Sequence, residues 1–84
     1  MKRIVETTDG GFEALLGEKI ELWCGVYIYS GKLVGVNADH LELEPCSIVY
    51  ETGALNSKTY HDSQELQGKR RVMMQSIESW GPGR

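Results

Sequence analysis

Residues 31–43, GKLVGVNADHLEL, constrain this chain more than any other segment. Gly31 and Gly35 stand at i and i+4, and a short polar step, Asn37-Ala38-Asp39-His40, leads to a second apolar run. Tyr27, Tyr29, Gly31, Leu33 and Gly35 hold one parity, while Val26, Ile28, Val34 and Val36 hold the other. Apolar groups on both faces describe a strand wrapped around a small barrel. The glycines remove side chains where such a strand must bend sharply.

The flanking segments supply the other walls. A short helix is expected over 11–16, with Asp9 or Gly10 in its N-cap region, an apolar face of Phe12, Leu15 and Leu16, and Gly17 as its stop. Residues 19–24 alternate as a half-buried first strand, with Ile20, Leu22 and Cys24 on one side, and Gly25 marks a tight turn. A third strand starts near His40 with Leu41 and Leu43 inward. Its later apolar residues, Cys46, Ile48 and Tyr50, have the opposite parity, so a bulge at Glu44-Pro45 is expected to flip the facing. Residues 51–68 are polar, without a period, and read as a long loop in which His61, Asp62 and Glu65 need no chemical role. Strands over 72–74 and 76–80 end the pattern. The expected fold is all-β, a single domain over 1–84: a five-stranded, strongly bent antiparallel barrel with a short N-terminal helix.

The pattern Tyr29-x-Gly31-x-Leu33-x-Gly35-Val36-Asn37, closed by Leu41-x-Leu43, resembles the first motif of the Sm-like superfamily. The segment from Arg71 through Met73-Met74-Gln75-Ser76 to Trp80-Gly81-Pro82 is similar to the second motif as the bacterial host-factor (Hfq) branch writes it. Together the likenesses span about 12–44 and 70–82, with a first hairpin one residue shorter than usual. The resemblance implies an SH3-like barrel and a ring of subunits, in which the fourth strand of one copy pairs with the fifth of the next. It also implies RNA held around the pore by the loops after the second strand and before the last. By position those loops offer Asn37, Asp39, His40, Met74 and Gln75. The cation that the family carries in the second loop is missing here.

Composition limits the alternatives. A chain of 84 residues buries only about 60–65% of its unfolded surface, and association would add stability. No apolar run approaches the ~18–20 residues of a membrane span, and the opening MKRIVETTDGG lacks the apolar core of a signal peptide, so a cytoplasmic protein without membrane partners is expected. Cys24 and Cys46 form no CxxC and read as reduced thiols used as small apolar residues. Neither a metal nor a cofactor is expected, since no ligand cluster has the required spacing.

A net charge of −3 argues against a coater of duplex DNA, whose affinity comes from many phosphate contacts. It leaves room for a protein that reads single-stranded bases at a concentrated site, with Lys69, Arg70 and Arg71 as phosphate contacts. The last strands present Val72, Met73, Ile77 and Trp80 with little protecting charge, as a subunit interface would. Unprotected edges on opposite sides of a small domain favour head-to-tail pairing, and closure gives a homo-oligomeric ring of about five to seven copies. The expected function is a ring that binds single-stranded RNA at its pore. The alternative is a ring that serves as a protein scaffold or assembly adaptor. No nucleophile–base pair, phosphate-binding glycine loop or paired carboxylates suggest an enzyme.

Overall fold

The computed structural model describes residues 11–84, so the N-cap expected at Asp9 or Gly10 lies outside the described residues. It contains strands β1 (Lys19–Cys24), β2 (Ile28–Val36), β3 (His40–Glu51), β4 (Asp62–Leu66), β5 (Arg70–Met73) and β6 (Ile77–Pro82). All pairings are antiparallel, in the order β4-β3-β2-β1-β6, with β5 also on β3. The sheet is not closed, so the expected five-stranded barrel gives way to an open sheet of six strands. Its outer edges fall on β4 and β5 at one side and on β6 at the other. Among the described residues no helix is long and apolar enough to cross a membrane.

Gly11–Leu15 forms a 3-10 turn in place of an α-helix over 11–16. Gly17, at φ 86°, stops it as its position requires. So short a turn depends on tertiary packing. Phe12 and Leu15 lie against the core, and the Phe12 ring meets Trp80 at 4.5 Å between centroids.

The core gathers Ile20 and Leu22 from β1, Leu33 from β2, Leu41, Leu43 and Cys46 from β3, and Val72 from β5. Burial pushes the Cys46 thiol up to about 11, so it stays protonated and inert. The inward set switches parity twice. On β3 the extra residue lies at Glu44-Pro45, between the Leu33↔Leu43 and Gly31↔Cys46 pairs. On β2 it lies at Val34, so that both Leu33 and Val36 turn inward. The apolar residues on both parities of β2 therefore record a bulge as well as a wrapped strand. Beyond Cys46 the inward parity is not kept by Tyr50, which is 55% exposed, whereas Val49 is buried.

Pro45 cannot donate to the ladder, and the strand facing it is interrupted there. Leu66 pairs with Cys46 and Arg70 with Leu43, with Gly68 at φ 71° between them. Two strands thus face β3 in turn, and β4 falls inside the segment expected to be a loop. Its sequence, Asp-Ser-Gln-Glu-Leu, has no apolar alternation because it is an exposed edge whose charges discourage further pairing.

At the same line β2 approaches β3 closely. A Cβ on Gly31 would overlap the Pro45 carbonyl oxygen and lie 3.0 Å from Cys46 Cα. A Cβ on Gly35 would meet the carboxylate end of Glu42, which can swing away. Gly31→Ala should therefore cost about 1–3 kcal/mol of unfolding free energy in urea titrations, as overpacking against backbone does, and Gly35→Ala clearly less.

Candidate functional site

Because His40 pairs with Met73, the turn before β3 and the turn after β5 come out at one end of the sheet. The second is a 3-10 turn, Met74–Ser76. A backbone bond joins them: the Met74 N–H donates to the Asp39 carbonyl at 2.9 Å. The first turn closes on itself through Asn37 N–H to the His40 carbonyl, also 2.9 Å. The two segments singled out in the sequence are therefore neighbours.

His40 organises the side chains. Its Nδ1 lies 2.7 Å from Asp39 Oδ1, and its Nε2 lies 3.1 Å from the Asn37 amide nitrogen. An amide NH₂ donating to Nε2 places the ring proton on Nδ1, where Asp39 accepts it, so neutral His40 satisfies both contacts. Protonation would turn Nε2 into a donor, which Asn37 cannot accept through its NH₂. The available acceptor is Glu42 Oε2, 3.6 Å away. The bond from His40 holds the Asp39 carboxyl below its ordinary 3.8.

Glu42 is the residue that the sequence did not single out. It also takes Arg71 Nε at 3.3 Å and Lys69 Nζ at 3.7 Å. Two of the three cations expected to contact phosphate thus lean on one carboxylate, although surface pairs of this kind hold weakly. Only the Glu42↔Arg71 register reveals the link. Arg70 takes the other face of β5 and, with Arg71, borders a hollow of about 630 Å³. Tyr27 and Tyr29 line the same hollow beside Met73 and Gln75. Aromatic rings beside arginines suit single-strand binding, and only the fold brings these two distant segments together.

The remaining candidates separate by exposure. Gln75 is exposed at the turn, whereas Met74 is half-buried against the core. In the set expected at a subunit interface, Met73 and Trp80 are exposed, Ile77 is half-buried on the core, and the Val72 side chain is buried within it. Among the described residues no three His, Cys, Asp or Glu side chains are placed to hold a metal ion.

No family model, no curated protein and no solved structure matches this chain.

The His40–Asp39 bond has a defined pH signature. A carboxyl whose pKa is lowered on folding contributes stability above its unfolded pKa and loses it as pH falls through the lower folded value. NMR titration should place the Asp39 midpoint below 3.8, and His40→Ala should return it toward that value.

Proposed function

We propose that this chain is an Sm-like domain that assembles into a homo-oligomeric ring and binds single-stranded RNA where the 37–40 and 74–76 turns of each copy meet at the pore. The hydrogen bond from Met74 N–H to the Asp39 carbonyl carries the reading, because it joins the two turns that the family resemblance assigns to RNA. The strand order supports it as well. The unpaired edges of β5 and β6 lie on opposite sides of the sheet, and a bent sheet with two open ends closes most simply by pairing one copy's β5 with the next copy's β6. Met73 and Trp80 are the exposed apolar side chains on those edges.

In this reading Asn37 and Gln75 offer hydrogen bonds to base edges, while His40, held by Asp39, provides a flat ring for a base. Arg70, Arg71 and Lys69 reach phosphate. Glu42 opposes them, since RNA must draw Arg71 and Lys69 from its carboxylate. Symmetry compensates, because every copy repeats the site around the pore.

The same Glu42 contacts favour a second reading, a ring that acts as a protein adaptor without RNA. Two of its cations already share one carboxylate, and no cation replaces the one missing from the 74–76 turn.

Light scattering during gel filtration should give several times 9.4 kDa, unchanged by moderate dilution, and Met73→Lys should lower that mass. A monomer at micromolar concentration refutes the ring. Fluorescence anisotropy with labelled single strands separates the readings of the ligand. With RNA at the pore, Glu42→Gln tightens binding several-fold by freeing Lys69 and Arg71, and His40→Ala weakens it by ~1–3 kcal/mol per stacked base. Absence of binding at low salt in both wild type and Glu42→Gln leaves the adaptor.

A further inference from the structure

The sheet has a second face, and it is not empty. By strand alternation Glu21, Ser30 and Ser47, which are paired across β1, β2 and β3, point away from the main core. The 52–61 segment folds over this side. Tyr60 donates its hydroxyl to Glu21 Oε2 at 2.6 Å, and Arg84 Nη1 donates to the carbonyls of Thr52, Ala54 and Thr59 at 2.8, 3.3 and 3.2 Å. The Arg84 guanidinium also lies 4.7 Å from the centre of the Tyr60 ring.

Beneath this strap Ser30 is only 3% exposed, and its Oγ has no hydrogen-bond partner among the described residues. Burial raises the Tyr60 pKa, as does its bond to Glu21, and the nearby Ser30 hydroxyl opposes them. A buried hydroxyl with nothing to bond calls for an explanation. Its surroundings supply one. Ser30, Ser47, Lys19, Lys58 and Arg84 line a hollow of about 250 Å³. Lys19, Ser30 and Ser47 also border an adjoining hollow of about 510 Å³, completed by Gly31, Lys32 and Pro45.

The charges are arranged against the apo protein's interest. Lys19 and Lys32 stand directly opposite in the β1–β2 register, a like-charge pairing that destabilises a sheet unless something negative lies between. Among the described residues no carboxylate forms an ion pair with Lys19, Lys32, Lys58 or Arg84. Glu21 and Glu65 border the region, so cations outnumber carboxylates by four to two. Hydroxyl and ammonium donors converging on one concavity match an oxyanion with several acceptor oxygens.

We infer that these hollows bind a small phosphorylated molecule. Its phosphate sits in the smaller one, accepting from Lys19 and Lys58 and, once the strap shifts to uncover it, from Ser30 Oγ, and its organic part occupies the larger. Arg84 holds the strap, with Lys58 on it, over the anion. At about 250 Å³ the first hollow is smaller than the ~300–1,000 Å³ of pockets that enclose a whole ligand, so it surrounds the charged head alone. The site lies on a different face from the 37–40 and 74–76 turns and does not depend on their reading.

Calorimetry and thermal melting of the whole chain test this, with inorganic phosphate and a nucleoside monophosphate as probes and chloride at matched ionic strength as control. Both phosphates should raise Tm where chloride does not, the monophosphate should bind more tightly, and Ser30→Ala and Lys58→Gln should each lower affinity about tenfold. Lys58 is exposed in a loop, so its variant folds in any event. Without ligand, Ser30→Ala should melt no lower than wild type, because it removes an unpaired hydroxyl. Undiminished affinity in Lys58→Gln, an equal response to chloride, or no gain from the ester over inorganic phosphate would each overturn the assignment. So would a short single-stranded RNA that displaces the monophosphate at lower concentration.

Discussion

Where β2 crosses the Glu44-Pro45 irregularity of β3, the two backbones come closer than any side chain at Gly31 would allow, and both candidate surfaces are arranged around that contact. The extra residue in β3 lets Leu43 and Cys46 face the same core, and the proline interrupts the ladder opposite it, dividing β4 from β5. Because β5 restarts beside the first half of β3, the turn that follows it reaches Asp39. A hollow opens beside this bend, bordered by Gly31 and Pro45 and next to Ser30 and Lys19. One steric fact thus places the site at the sheet's end and the cationic hollow on its back.

The all-β class, the core and the bend were legible because each depends on a local pattern. Ile20, Leu22, Leu41 and Leu43 alternate cleanly, and a proline between residues of opposite parity signals a bulge by its missing N–H. β4 was not legible, since an exposed edge strand is held by backbone bonds to β3 and needs no apolar side chains. The Val34 bulge was hidden for a related reason: apolar residues on both parities look the same for a wrapped strand and for a strand that switches face. The turns at Asn37 and Met74 were found through a family likeness. Glu42, which controls their electrostatics, was missed because alternation marks it only as an outward residue between two core leucines, and its cations lie 27 and 29 positions away.

Charge is sorted by face more than by amount. The overall balance of −3 describes neither surface. Near the turns, Glu42 gathers Lys69, Arg71 and the approach of His40, so positive groups there are held in check. On the back, Lys19, Lys32, Lys58 and Arg84 share a region bordered by two carboxylates, one already accepting from Tyr60 and Trp23. Screening at physiological salt extends over about 8 Å, so each neighbourhood acts largely by itself.

Arg84 gives the back of the molecule a mechanical link to its edge. Gly83 donates to the Lys19 carbonyl, continuing β6 along β1, and the next residue grips three carbonyls of the strap. Tension on β6 is therefore transmitted to the 52–60 backbone without passing through the core. Anything that immobilises β6 reduces the configurations open to the strap, and anything that seats the strap stiffens β6 in return, since such a coupling is reciprocal. The last strand then behaves as a tether whose two ends, an open edge and a guanidinium clasp, sense each other's freedom.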